Sequence, residues 1–197
     1  KKTRDLKLAD YQKKLASLTF LDPACGSGNF LTETYLSLRR LENKALMLRL
    51  GDQIIMGDTD FNPIQVSIGQ FYGIEINDFA VSVAKTAMWI AEYQMREETG
   101  EIVKLEDDFL PLKSYANIHQ GNALQTDWQQ IVKPEDLAYI IGNPPFLGYS
   151  NQNSAQKEGS CKMNNSSLYP CIMVMLSSMA PLFFSSGLSF KMYGVSA

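Results

Sequence analysis

The chain has 197 residues, enough for one sizeable hydrophobic core, so one domain or two small domains fit its length. Hydrophobic residues make up 45% and charged residues 20% of the chain, which is ordinary for a globular protein. The net charge of −3 excludes a chain that is basic throughout, so nucleic acid would have to bind a local patch or another domain.

Three cysteines and one histidine limit the kinds of site that the chain can build. Cys25, Cys161 and Cys171 show no metal-ligand spacing and His119 is the only histidine, so neither a disulfide scaffold nor a zinc site is expected. This cysteine usage is typical of the reducing cytosol, and we expect a cytoplasmic protein. The N-terminus has no signal peptide, and prolines and serines interrupt the most apolar run, 168–184, which does not fit a membrane span.

Hydrophobic periodicity and turn residues predict an alternation of helices and strands. In chain order the predicted elements are a helix over 4–18, a strand over 18–21, a helix over 29–49, a strand over 71–76, a helix over 79–98, and strands over 116–120 and 138–141. The intervening segments 52–69 and 99–115 are predicted to be irregular. This order predicts an α/β fold, a mostly parallel sheet with helices on both faces. In such sheets the ligand crevice lies beyond the carboxyl ends of the strands.

The helix over 79–98 is the strongest single prediction. Asp78 is its predicted N-cap. Its predicted apolar face consists of Val83, Ala87, Ile90 and Ala91.

The turn over 22–30 lies between a predicted strand and a predicted helix, and it contains Gly26 and Gly28. Such glycines let the backbone approach a ligand, although a tight structural turn has the same pattern. A dinucleotide site needs a third glycine, where this chain has Leu31, and an acid about 20 residues on. Asp22 would repel a pyrophosphate and suits a cationic ligand. Glu75, at the end of the next strand, can accept hydrogen bonds from both hydroxyls of a ribose.

A second motif, Asn143-Pro144-Pro145-Phe146, follows the last predicted strand. Together with the turn over 22–30, it resembles the amino-methylating DNA methyltransferases of restriction–modification systems. The sequence over 71–76 and 87–95 is most similar to that of the large single-chain MmeI-type enzymes. The resemblance covers about residues 6–150 and implies a Rossmann-like class I fold that uses S-adenosyl-L-methionine, incomplete on its C-terminal side.

The resemblance also implies where the cofactor binds. Its methionine part would lie on the loop that contributes Asp22, Pro23, Ala24, Cys25, Gly26, Gly28 and Phe30. Glu75 would hold the ribose and Ile76 would cover the adenine. Asn122 and Ala123 would line the adenine pocket, where many relatives have an acid in place of Asn122.

The catalytic residues implied by the resemblance are Asn143, Pro144, Pro145 and Phe146. The Asn143 side-chain oxygen and the Pro144 carbonyl would each accept one hydrogen of the adenine N6 amine, which localises its lone pair toward the methyl group. The prolines would fix the turn, and Phe146 would stack on an adenine flipped out of double-stranded DNA. Cytosine N4, protein glutamine and RNA guanine remain alternative targets, and an inactive remnant remains an alternative to an enzyme.

Two regions of the chain are expected to differ. Residues 1–153 form the predicted catalytic domain, in part, whereas 154–197 hold few charges and ten serines and are expected to be frame-shifted or poorly ordered. The chain also lacks an initiator methionine, which suggests a fragment. Nuclease and target-recognition parts are then expected on other portions of the same polypeptide.

Overall fold

The structure, a computed structural model, describes residues 2–50, 62–105, 117–142 and, for the backbone alone, 172–175. In chain order the helices and strands are α1 (Lys2–Ala16), β1 (Phe20–Asp22), α2 (Asn29–Leu50), β2 (Phe71–Glu75), α3 (Asp78–Gly100), β3 (Ile118–Gln120), β4 (Tyr139–Gly142) and β5 (Ile172–Met175). Two short 3-10 helices span Ile68–Gln70 and Trp128–Gln130. No helix among these residues is long and apolar enough to cross a membrane.

The strands form one parallel sheet in the order β3-β2-β1-β4-β5. The α/β class with a parallel sheet is therefore confirmed. β1 and β2 are neighbours at the centre, with Asp22 in register with Gly73. Because all strands run the same way, Asp22, Glu75, Gln120 and Gly142 end at the same edge of the sheet.

The two faces of the sheet are covered differently. Successive strand residues point to opposite faces, and Phe20 and Leu21 accordingly belong to separate apolar clusters. The first cluster joins the sheet to buried residues of α1, α2 and α3, and its centre is a stack of Phe20 on Phe71, with ring centroids 5.1 Å apart. The second cluster contains Leu21 and is covered by the segment 123–137, which includes the second 3-10 helix.

Two details of α3 differ from the prediction. The predicted N-cap, Asp78, is wrong: Asn77 is the cap, because its side-chain oxygen accepts the Ala80 N–H at 3.1 Å, while Asp78 lies in the first turn. The predicted apolar face is wrong at Val83 and Ile90, which are exposed, and confirmed at Ala91, which is buried. The residues that α3 buries are Val81, Ala84, Met88, Ala91, Met95 and Thr99.

A buried charged network joins the middle of α2 to the C-terminal end of α3. Arg39 and Glu42 form an ion pair in which both side chains are almost fully buried. Arg39 also donates to the Thr99 hydroxyl at 2.7 Å, while Glu42 Oε1 accepts the backbone N–H groups of Gln65 and Val66 at 2.8 and 3.1 Å. The network therefore holds the two helices together and anchors the chain that leads into β2.

β5 lies inside the segment 154–197 and pairs with β4 from Tyr139 to Gly142. These four backbone positions are the part of that segment that the structure describes. The division of the chain at residue 153 stays a prediction.

Candidate functional site

Asp22 lies at the centre of the sheet edge on which the strands end. Its side chain is fully buried, and its Oδ1 accepts the Ala24 N–H at 3.0 Å. Its Oδ2 is buried too and has no hydrogen-bond partner among the described residues. Burial, helped by the charge of Glu75 and opposed by the Ala24 N–H, raises the pKa of Asp22 to about 7. A carboxyl in this setting is half-ionised near neutral pH.

The loop between β1 and α2 takes its shape from two glycines. Gly26 and Gly28 have φ angles of +53° and +83°, in the left-handed region that favours glycine. At Gly28 a Cβ would also lie 3.0 Å from the Cβ of Ala84, so the loop packs against α3 more closely than another residue allows. The tight turn that the sequence indicates is therefore present, while the approach of its backbone to a ligand stays a prediction.

Cys25 lies beneath this loop and is held by β2. Its backbone N–H donates to the Ile74 carbonyl at 3.1 Å, and its sulfur would lie 2.8 Å from a Cβ at Gly73. Burial and the charges of Asp22 and Glu75 raise the pKa of its thiol to about 12. Cys25 is therefore a neutral packing residue of the loop. Gly73, which sequence reasoning did not select, is the residue that makes room for it.

Glu75 links the glycine loop to the start of α3. One carboxylate oxygen accepts the Gly26 N–H at 2.9 Å, and the other accepts the Asn77 N–H at 3.0 Å. Each oxygen has a second lone pair, so the carboxylate can still accept one further hydrogen bond on each side. Glu75 is half-buried and can meet a ligand in the crevice.

The remaining residues of the predicted cofactor loop surround this centre. Pro23 and Ala24 are partly exposed, as expected of residues that line a crevice. Phe30, at the start of α2, packs against the first apolar cluster. This packing anchors the start of α2, and the predicted contact of Phe30 with the cofactor stays a prediction.

The ends of β2 and β3 lie side by side at the same sheet edge as the glycine loop. Ile76 follows Glu75 and is 67% exposed, so its apolar side chain is free to cover a flat ligand. The Gly121 N–H donates to the Glu75 carbonyl at 2.8 Å, which brings the two strand ends together. Asn122 Oδ1 accepts the Leu124 N–H at 3.0 Å, so one of its two lone pairs is used within its own turn.

Ala123 differs from its neighbours at this sheet edge. It packs against the second apolar cluster, and its carbonyl accepts the Trp128 indole N–H at 2.9 Å. These two contacts fix the turn after β3 against the second apolar cluster.

Gly142 ends β4 directly beside Asp22. Its φ is +153°, and a Cβ on it would lie 2.6 Å from Asp22 Oδ1. Only glycine lets β4 end this close to the carboxylate. Sequence reasoning did not select Gly142, although its position immediately before Asn143 is a signal that could have identified it.

The predicted catalytic residues Asn143, Pro144, Pro145 and Phe146 lie outside the described residues. Their roles therefore stay predictions. The described residue that precedes them, Gly142, lies at the same sheet edge as the glycine loop and Glu75.

Comparisons with known proteins agree with this arrangement. The family described as MmeI, DNA-methyltransferase domain, matches residues 1–171. DNA methyltransferase A of Bacillus subtilis (strain 168) is 42% identical over 154 residues, which is 77% of this chain and 17% of that protein. A solved structure of the type IIL restriction–modification enzyme MmeI in complex with DNA superposes with a TM-score of 0.70 at 33% identity, over 87% of this chain and 26% of that chain. The chain thus spans a minor part of these relatives' length.

Proposed function

Because the chain belongs to the family of MmeI DNA-methyltransferase domains, we propose that it transfers a methyl group from S-adenosyl-L-methionine to the N6 amine of adenine in double-stranded DNA. The observation that carries the proposal is the buried Asp22 beside the glycine loop and Glu75, at one sheet edge. This proposal covers the 197-residue chain. The nuclease and target-recognition parts that a restriction–modification enzyme requires would lie on other portions of the polypeptide.

The residues at this edge fit the cofactor. S-adenosyl-L-methionine carries an ammonium and a sulfonium group, and the unpartnered Oδ2 of Asp22 suits a positive charge. Glu75 has lone pairs left for both ribose hydroxyls after its bonds to Gly26 and Asn77. The exposed Ile76 offers an apolar surface to the adenine. When bound, the cofactor supplies an activated methyl group.

The chemistry at the target amine is assigned to the motif after Gly142. The Asn143 side-chain oxygen and the Pro144 carbonyl would accept the two N6 hydrogens and localise the lone pair on the nitrogen. The two prolines restrict the backbone of the turn, so that these acceptors keep their positions. Phe146 would stack on the flipped base. No general base is needed before the methyl transfer, because the nucleophile is the lone pair itself.

A methylation assay with mass spectrometry of the digested DNA tests this proposal. We use the 197-residue chain, labelled S-adenosyl-L-methionine and duplexes in which the adenine is paired or mismatched, because a mismatched base costs less to flip. N6-methyladenine is the expected product. N4-methylcytosine would contradict the choice of adenine, and no methylated DNA of either kind would contradict DNA methylation by this chain.

Asn143→Ala tests the assigned mechanism. The variant should lose about a hundredfold to a thousandfold in rate, the usual effect of removing one preorganised acceptor. Its affinity for S-adenosyl-L-methionine should be unchanged, because Asn143 would touch the amine and not the cofactor. Asn62→Ala, at an exposed asparagine, is the control and should keep the wild-type rate. Near-normal methylation by Asn143→Ala would show that another group holds the amine.

Protein glutamine and RNA guanine are the other amino groups that the same turn can present. Offering total protein and total RNA in the same assay distinguishes them from DNA. The proposal places the protein in the cytoplasm, where its DNA substrate lies.

A further inference from the structure

The carboxyl group of Asp22 is left in an environment that does not suit an anion. The side chain is fully buried, one oxygen accepts a single backbone N–H, from Ala24, and the other has no partner among the described residues. A buried carboxylate with so few hydrogen bonds is unfavourable unless a cation joins it or a proton neutralises it.

The groups around Asp22 add to this cost. Glu75 accepts the N–H of Gly26, which lies in the same loop two residues after Ala24. The negative charge of Glu75 repels an anion at Asp22. The neighbouring Cys25 thiol is neutral. The residue of β4 that lies against Asp22 is Gly142, which has no charge. Among the described residues no cation approaches the Asp22 carboxyl, so a proton or a bound ligand would neutralise it.

We propose that Asp22 is protonated in about half of the free protein at neutral pH and releases this proton to solvent when the positively charged cofactor binds, so that it distinguishes S-adenosyl-L-methionine from the product S-adenosyl-L-homocysteine. The proposal rests on the cofactor assignment made above. Methyl transfer removes the sulfonium charge, so the product carries one positive charge fewer than the cofactor. An ionised Asp22 favours the cofactor, whereas a protonated Asp22 has no such preference.

The raised pKa of Asp22, about 7, puts this exchange in the physiological range. Binding of the cofactor favours the ionised form of Asp22. The affinity of the protein for the cofactor should therefore rise as the pH rises toward 7 and stay constant above pH 7. The limiting slope is about tenfold for each pH unit on the acid side. The affinity for the product should depend less on pH, so the preference for the cofactor should grow over the same range.

Calorimetric titration in buffers of different ionisation enthalpy measures the protons released on binding. The wild-type chain is titrated with S-adenosyl-L-methionine and with S-adenosyl-L-homocysteine between pH 6 and pH 8. Release of roughly half a proton at pH 7 and more at pH 6 is expected for the cofactor, since Asp22 is half-protonated near its pKa. A smaller release is expected for the product.

Asp22→Asn keeps an acceptor for the Ala24 N–H and removes the titrating group. It should release no proton, and its preference for the cofactor over the product should no longer change with pH. Asp78→Asn is the matched control, because Asp78 is an exposed acid at the start of α3. This variant should release as many protons as the wild type.

The possible failures are distinguishable. If the wild type binds the cofactor without proton release, or if Asp22→Asn releases as many protons as the wild type, the inference is overturned while the cofactor assignment stands. If the wild type binds neither compound, the cofactor assignment fails and the inference fails with it.

Carbon-13 NMR of the aspartate carboxyls in the wild type gives the answer without any variant. One carboxyl should titrate near pH 7 in the free chain and well below that with the cofactor, and an unchanged midpoint would overturn the inference.

Discussion

Gly142 and Asp22 meet at the end of the sheet so closely that a Cβ on the glycine would lie 2.6 Å from the Asp22 carboxylate. The glycine precedes the predicted catalytic turn, and the aspartate is the first residue of the predicted cofactor loop. The contact therefore joins the two motifs on which the proposed function depends.

Gly142→Ala should displace Asp22 and weaken cofactor binding. The added methyl group meets a carboxylate that is fully buried, and the φ of +153° strains any other residue. We expect an affinity loss of about tenfold or more, equal to at least about 1.4 kcal/mol. Calorimetric titration with S-adenosyl-L-methionine checks it. Gly100→Ala is the control, because a Cβ there meets nothing within 4 Å, and this variant should bind normally.

Glu75→Ala should weaken cofactor binding and loosen the glycine loop. The carboxylate holds the Gly26 and Asn77 N–H groups and is the proposed partner of the ribose. Each charge-assisted hydrogen bond lost contributes roughly 1.5–3 kcal/mol at most. The measurement is again calorimetric, with thermal unfolding to record the effect on the loop. Glu97→Ala, at an exposed acid of α3, should change neither quantity, and equal affinity for Glu75→Ala and the wild type would refute the ribose assignment.

Asp22→Asn should make the folded chain more stable above neutral pH, although it is expected to impair recognition of the cofactor's charge. Since the pKa of Asp22 is raised from 3.8 to about 7 on folding, the folded state binds this proton more tightly than the unfolded state. The contribution of Asp22 to the free energy of unfolding is therefore largest at low pH and falls between about pH 4 and pH 7. The slope is up to about 1.4 kcal/mol for each pH unit.

Urea unfolding of the wild type and of Asp22→Asn at several pH values isolates this contribution. The difference between their free energies of unfolding should move in favour of Asn as the pH rises to 7 and stay constant above it. A difference that does not change with pH would mean that Asp22 is ionised throughout.

Glu42→Gln should destabilise the fold without touching the candidate site. The substitution leaves the buried Arg39 guanidinium without its counter-charge, and breaking a buried pair on one side typically costs about 3–5 kcal/mol. Urea unfolding provides the measurement. Glu33→Gln changes an exposed acid of the same helix and should shift the free energy of unfolding by less than about 0.5 kcal/mol. A similar shift in both variants would show that the network adds no stability.

The order of elements and the position of the glycine loop follow from the sequence alone. The buried strand before Asp22, the positive-φ glycines after it and the helix from Asn29 are all local features. Turn chemistry acts within a few residues, so it can be deduced without knowledge of the rest of the chain. Glu75 could be predicted for a related reason, since strand ends in a parallel sheet converge on one edge.

The side of α3 that faces the core was decided by tertiary structure. Apolar residues occur at helical spacing on both sides of this helix: Val81 and Met88 are buried, while Val83 and Ile90 are exposed. Periodicity alone supports either face. Packing against α2 and β2 selects the side whose residues fit there, and this depends on residues that are distant in the sequence.

What the sequence determined by itself is the chemistry available to the chain: two acids and a glycine loop, with an Asn-Pro-Pro-Phe motif later in the sequence. Only the tertiary structure decided the state of those groups. The burial of Asp22, its unpartnered oxygen and its closeness to Gly142 come from β4 lying beside β1, more than a hundred residues later in the chain. Desolvation depends on everything that surrounds a group in space, and for that reason the raised pKa of Asp22 could not be deduced from its sequence neighbours.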